Sequence, residues 1–291
     1  MSSVEVLAPL ALTPGQAATR ADDQSQLSAG PDKLRAVVRA LGAFGRRSFL
    51  LFALVVVWEA APRLGLVDST FLPPFSEVIR AGWQLALTGE LYDDVTASLL
   101  RALSGLVLSI VLVVPLGLLI GWYGRLGALL NQLIEVCRNT APLALLPVFI
   151  LLLGIGELSK ITMVIYSCAW PLLLNTIAGV KQVDPLLIKS ARTMGVTSAQ
   201  LFRKVILPAA LPTILVGVRL ASAAAMLVLI ASEMIGAKAG LGYLVIYSQY
   251  SFLIPQMYFG ILGITVIGLA FNTILEALER RFMRWKAAVA A

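Results

Sequence analysis

The stretch from Val183 to Pro212, VDPLLIKSARTMGVTSAQLFRKVILPAALP, decides how the rest of the chain is read. It is the longest polar island in an otherwise apolar second half, and its pattern predicts two short helices joined by a glycine turn. Asp184 is a good N-cap, and Pro185 suits the first helical position, where a missing N–H costs nothing. Leu187, Ala191 and Met194 fall at i, i+4 and i+7 and make one apolar face. Gly195 fits the left-handed residue that ends a helix. Thr197 with Gln200 three residues on is a capping-box pattern, and Leu201, Phe202, Val205 and Ile206 give the second helix its apolar face. Pro208 and Pro212 are expected to stop or kink the chain before the next apolar segment. Lys181, Lys189, Arg192, Arg203 and Lys204 make the island basic.

Around the island the chain is built for a bilayer. Its 291 residues are 59% hydrophobic and 13% charged, with mean hydropathy +0.88. A soluble domain carries roughly 25% charged residues, so this chain has too little polar surface for water. A helix–turn–helix between membrane spans is not a DNA reader, and a net charge of +7 in such a chain marks cytoplasmic loops. There is no histidine, which excludes histidine metal sites, general bases and triads. Cys137 and Cys168 lie in apolar stretches, with neither disulfide nor zinc spacing, and are expected in the core. No G-x-x-x-x-G-K-[ST] loop is present, so the chain is not its own ATPase.

The fold class is all-α, a polytopic membrane protein with six transmembrane helices. Residues 1–31 read as a disordered cytoplasmic tail without the basic start and long apolar core of a signal peptide. Residues 32–47 form a basic amphipathic segment suited to a membrane surface. The six-span domain covers 48–279, with spans at about 48–66, 97–123, 129–154, 161–180, 209–234 and 257–277, and 280–291 is a basic cytoplasmic tail. Between the first two spans an amphipathic helix is expected from Pro74 to Thr88, with a turn at Gly89. Residues 235–256 read as a Gly- and Tyr-rich outer loop. Glu59, near the end of the first span, is either functional or paired with Arg63.

Even numbers of spans put both ends on one side. With that side inside, 16 of the 23 Lys and Arg residues fall in the two tails, the turn after span two and the island. Only Arg63, Arg80, Arg101, Lys160 and Lys238 fall outside. That asymmetry places both termini and the island in the cytoplasm. Arg138, Asn139 and Thr140 beside Pro142, Asn175 near Pro171, and Arg219 remain at membrane depth. Polar groups there face a bundle interior or a water-filled path, and together they point to a path that favours anions. For each arginine the other reading is structural: bonds to carbonyls freed by proline, or a pairing such as Arg138 with Glu135.

The spacing within the island goes further. Lys189-Ser190-Ala191, three residues, Gly195, nine residues and Val205-x-Leu207-Pro208 resemble the "EAA" loop of permease subunits in ABC importers. The alanine, the glycine, the Leu-Pro and both intervals are kept; Lys189 and Ser190 stand where that pattern has Glu and Ala. FLPPFSEVIRAGWQLALTGELYDDVTASLLRALSGL, APLALLPVFILLLGIGELSKI, and LPAALPTILVGVRLA followed by Glu233 and Gly240-Leu241-Gly242-Tyr243 resemble the branch that imports aliphatic sulfonates, taurine and nitrate. The likeness covers roughly residues 50 to 280.

The resemblance implies the permease fold of type I ABC importers, with a cytoplasmic coupling helix–turn–helix (183–208) between spans four and five. It implies a multi-pass protein of the bacterial inner membrane, surrounded by lipid. Its partners would be a second copy, two ATPase subunits that carry ATP and Mg, and a periplasmic or lipid-anchored substrate-binding protein. Nucleic acid is not among them, and no cofactor or metal is expected in this chain. Lys189, Ser190, Ala191, Arg192, Gly195, Leu207 and Pro208 would couple to the ATPase. Arg138, Asn139, Thr140, Asn175 and Arg219 would line the path. The substrate would be a small anion; the alternative is a vitamin precursor or an aromatic acid in the same importer class. An ion-coupled secondary transporter would need coupling carboxylates at mid-membrane, and Glu59, Glu135 and Glu233 all lie near span ends.

Overall fold

A computed structural model of the chain describes residues 49–282. The expected tail (1–31), the basic segment (32–47) and the last residues of the basic C-terminal tail lie outside the described residues. The chain divides into two units, one ending at Val67 and one beginning at Asp68. In the first, helix α1 covers 49–63, and Glu59 pairs with Arg63 one turn on at 2.5 Å. At 1.5 Å per residue the described part of α1 extends about 22 Å, less than the ~30 Å of a bilayer core.

The second unit consists of α2 (Phe75–Thr88), α3 (Glu90–Trp122), α4 (Gly124–Asn139), a 3-10 turn (Pro142–Leu145), α5 (Leu146–Leu153) and α6 (Glu157–Lys181). It continues with α7 (Pro185–Thr193), α8 (Ser198–Leu201), a π-helical segment (Phe202–Ile206), α9 (Leu207–Glu233), α10 (Leu241–Tyr250) and α11 (Ile254–Phe282). Among the described residues every regular element is helical. Four runs are long and apolar enough to cross a membrane: α3, α6, Ser198–Glu233 and α11. The pair α4 and α5 makes a fifth if its two parts count as one crossing. The expected sixth crossing rests on 48–66, of which 49–66 are described and α1 is the helical part.

Two expectations need correction. The third span, drawn as one helix over 129–154, is broken, and its halves meet at 85°. Ala141 is extended (φ −61°, ψ 121°) because the ring of Pro142 disfavours a helical residue before it. Pro208 and Pro212, where a stop or a kink was expected, do not stop the chain: both sit inside a helical run from Ser198 to Glu233. The π segment takes up the misfit: the Leu207 N–H reaches back five residues to the Phe202 carbonyl, one step before Pro208, which has no N–H to give. The 235–256 loop also holds an unforeseen helix, α10.

The core is α3, α6 and α9. Leu106, Val113 and Ile120 of α3 meet Val164, Cys168 and Leu172 of α6 and Ala221, Ala225 and Leu229 of α9, with Phe271 of α11 joining them. Cys168 is buried as expected, and Cys137 is half-buried. Membrane helices gain most from close approach, which small residues permit. A Cβ on Gly105 would lie 2.5 Å from a Val164 methyl, and one on Gly117 would lie 2.8 Å from Thr176 Cβ. These glycines let α3 and α6 touch.

Gly105→Leu is therefore expected to lower the thermal stability of the detergent-solubilised protein by about 1–3 kcal/mol, outweighing the ~1 kcal/mol of helix propensity gained on removing glycine. Gly124→Ala, whose Cβ would meet nothing within 4 Å, is the neutral control. A thermal melt followed by circular dichroism distinguishes them; equal melting of the two variants would contradict this packing.

Candidate functional site

The polar island folds largely as its local signals demand. The Asp184 carboxylate accepts the Leu186 N–H at 2.8 Å, and Pro185 opens α7. At the other end Gly195 is left-handed (φ +73°), the Gly195 N–H donates to the Arg192 carbonyl at 3.0 Å, and the Val196 N–H donates to the Ala191 carbonyl at 3.3 Å. These are the two bonds of a Schellman ending. Thr197 and Gln200 close a capping box, with bonds of 3.4 and 3.1 Å. The second helix is brief: α8 passes through the π segment straight into α9.

The apolar face of α7 is divided between the core and the surface. Ala191 is buried with Ile188 and Val196 beside it, against Val180, Leu201, Ile206 and Ile214. Leu187 and Met194, read with Ala191 as one apolar face, are exposed. Their exposures are 52% and 82%, and that of Leu186 is 69%. Lys189, Ser190 and Arg192 are exposed on the same short helix. Leu207 is half-buried and Pro208 exposed at the start of α9. The loop therefore presents a rigid, capped helix with an apolar and basic outer face.

The polar residues assigned to the path are not gathered into one cluster. Arg138, Asn139 and Thr140 end α4 and are answered locally. The Arg138 guanidinium donates to both oxygens of Glu135 at 2.9 and 2.7 Å, Asn139 Nδ2 to the Glu135 carbonyl at 2.7 Å, and Thr140 Oγ1 to the Val136 carbonyl at 3.2 Å. Asn175 Nδ2 donates to the Pro171 carbonyl at 2.8 Å, and its Cβ faces Gly217 of α9. Arg219 Nη1 lies 3.5 Å from Glu279 Oε2 of α11, an ion pair without a hydrogen bond. Among the described residues no hydrogen bond or ion pair joins these three places. Beside Arg219, α9 and α11 form a groove of about 510 Å³, in which Ser222, Thr265 and Asn272 interrupt an apolar lining.

The densest polar structure lies at the opposite end of α3, α6 and α9 from the loop. Glu233, fully buried at the end of α9, is its centre. Arg101 Nη1 donates to Glu233 Oε1 at 2.8 Å and to the Ala239 carbonyl at 2.7 Å. The rest of that guanidinium holds Glu157, with Nη2 donating at 2.7 Å. Ser98 Oγ lies 2.9 and 2.8 Å from the two Glu233 oxygens and accepts the Leu241 N–H at 2.9 Å. The Gly242 N–H donates to Glu233 at 3.0 Å, and the Gly240 N–H to Asp94 at 2.8 Å. Lys160, buried, reaches the carbonyls of Gly156 and Gly236. The backbone of Gly240–Gly242 lies so close that a Cβ on Gly240 would sit 2.6 Å from the Glu233 carboxylate.

The sequence placed Arg101 and Lys160 among the outer loops and span ends but did not show that they meet Glu233, Glu157 and the 236–242 backbone there. One signal was present: Asp94, Ser98 and Arg101 fall at i, i+4 and i+7 on one helix face.

A model of the family described as binding-protein-dependent transport system inner membrane component matches residues 113–286. The chain belongs to this family. It is 37% identical over 223 residues to a probable ABC transporter permease protein of Brucella abortus, covering 77% of this chain and 89% of that one. It is 34% identical over 245 residues to the taurine transport system permease protein of Escherichia coli (82% and 89%). It is 32% identical over 241 residues to a putative aliphatic sulfonates transport permease protein of Bacillus subtilis (82% and 87%). Among solved structures, the MetNI methionine ABC transporter in inward-facing conformations shares the fold with a TM-score of 0.59 at 19% identity, over 66% of this chain and 95% of that one. The permease is thus the membrane subunit of an ABC importer and not itself an enzyme; in this family ATPase and substrate-binding subunits are its partners.

Arg101→Ala leaves a buried carboxylate without its cation and is expected to cost this permease about 3–5 kcal/mol of stability. Glu157→Ala removes a partner whose side chain is 62% exposed, and is expected to cost under ~1 kcal/mol. Thermal melts of the two variants in detergent check the ranking; Arg101→Ala as stable as Glu157→Ala would refute it.

Proposed function

We propose that the permease drives uptake of a small sulfonate-type anion as a pair of identical copies, each docked through α7 onto one of two ATPase subunits. The observation that carries this reading is the outer face of α7. Leu186, Leu187 and Met194 are exposed on a helix capped at both ends, outside the long apolar runs, and Lys189 and Arg192 flank them. Apolar side chains clustered in water are characteristic of a surface that a partner covers. The charge asymmetry supports a cytoplasmic location for that surface and for both termini.

The coupling follows from continuity. Closure of the ATPase pair on ATP would pull α7, and α7 packs through Ala191 onto Leu201 and Ile206. Those residues belong to the single helical run that ends at Glu233, inside the Arg101 cluster. A displacement at the loop is thereby delivered to the opposite end of the membrane helices, where α10 and its loop are bonded to the same carboxylate. The π segment just before Leu207-Pro208 is the natural place for this lever to change its winding.

The sulfonate class is supported by the taurine and aliphatic-sulfonate relatives, not by Arg138 and Arg219, which face Glu135 and Glu279. Selection would then rest mainly with the binding protein.

Affinity purification of the tagged chain from its native membrane in mild detergent is expected to bring down an ATPase in equal amount. Met194→Asp alters a side chain that is 82% exposed, so the fold should be kept while ATPase recovery falls about tenfold, the equivalent of 1.4 kcal/mol. Full ATPase recovery with Met194→Asp would contradict the docking role of α7.

A further inference from the structure

Where α3 ends against α8 and the π segment there is a second groove, of about 540 Å³. Leu118, Leu119, Trp122 and Tyr123 of the α3 end form one wall, and Ser198 and Phe202 the other. Trp122 and Phe202 meet edge to face, with centroids 5.4 Å apart at 74°. The groove is apolar along the last turns of a membrane-spanning helix and becomes aromatic and hydroxylic at its end. Trp and Tyr at the end of a span mark the headgroup level of a bilayer.

The charged residues nearest in sequence to its lining are all basic. Arg203 and Lys204 follow Phe202 directly, and Arg125 follows Tyr123 by two residues; all three are exposed. Among the described residues no carboxylate is paired with any of them. Arg138 and Arg219, by contrast, each face a carboxylate. The π segment contains Phe202, Arg203 and Lys204, so one irregular turn supplies both the aromatic wall and two of the cations.

We infer that this groove holds an acidic phospholipid, with an acyl chain along Leu118, Leu119 and Trp122 and the phosphate at Ser198 and Arg203. Charge complementarity selects this occupant: a groove that needs an apolar body and a negative head matches a phosphatidylglycerol-type lipid. The lipid would brace the π segment against α3, beside the residues that join the loop to α9.

Trp122 reports occupancy directly. The full chain, with its other four tryptophans (Trp58, Trp83, Trp170, Trp285) replaced by Phe, is reconstituted in phosphatidylcholine vesicles. The minority component is dibrominated phosphatidylglycerol or dibrominated phosphatidylcholine. Bromine quenches tryptophan at contact. Phosphatidylglycerol is expected to be preferred about fivefold, since one basic group near a membrane surface is worth roughly 1 kcal/mol per acidic lipid contact. That preference is expected to vanish in the Arg203→Gln, Lys204→Gln variant, and added inorganic phosphate is expected not to compete.

Equal quenching by both lipids, or a preference that survives the double substitution, would overturn the assignment. So would no quenching by either, which would mean that protein covers the groove: an ATPase, a second copy or residues 1–48. Native mass spectrometry of the complex with its natural tryptophans decides independently if the single-tryptophan chain does not fold. The wild type is expected to retain phosphatidylglycerol and the double variant to lose it; a wild-type complex free of acidic lipid overturns the inference.

Discussion

A carboxylate with no exposed surface, at the end of the longest helical run, governs how this molecule is built. Glu233 can stay ionised there only if cations and N–H donors replace the water it has lost, because an unpaired buried charge is among the costliest features a fold can carry. Arg101, Ser98 and the Gly242 N–H supply that replacement. Their geometry then dictates the neighbourhood. Glycine is required at 240, where the backbone is left-handed (φ +127°) and a Cβ would strike the carboxylate. The start of α10 is fixed by bonds to Ser98 and Glu233, and α6 is drawn in through Glu157. Four stretches distant in sequence are tied to one point, and a network of this kind is stable only when every member is satisfied.

The other end of the same helices is organised by local chemistry instead. Asp184, Gly195, and the Thr197–Gln200 pair finish three helix ends with side chains and turns a few residues away. The result is a short helix capped at both ends and packed on a helical run that leads to Glu233. The two ends thus differ in kind. One is a buried knot that binds helices to each other; the other is an exposed platform whose outer apolar side chains stay uncovered among the described residues. Under the proposed docking of α7, a subunit pulled from one side of a membrane and responding on the other would use this division.

How far the amino-acid sequence could be read follows from the range of each interaction. The α7 caps, α2 and the left-handed Gly89 were legible because their partners lie within one turn. The crossings by α3, α6, α9 and α11 were legible from apolar length. The partners of Arg101 and Lys160 were not legible because they lie as far away as Ala239 and Gly236, 138 and 76 residues on. The division of the α7 apolar face between buried Ala191 and exposed Leu187 and Met194 was not legible, because periodicity shows that a face exists but not which neighbour covers it. The break before Pro142 was visible as a proline, yet composition could not say whether a bilayer helix would tolerate it. α10 was hidden by the Gly- and Tyr-rich composition of 235–256, and tertiary contact overrides that weak local preference.

The central claim, an ATP-driven importer moved through α7, is tested most directly by uptake into liposomes. The complete complex is reconstituted with its binding protein, and accumulation of labelled taurine or an aliphatic sulfonate is followed with and without ATP. The account predicts accumulation that requires ATP and the binding protein and is unaffected when proton and sodium gradients are collapsed. Accumulation by the chain alone, driven by an ion gradient without nucleotide, would contradict it.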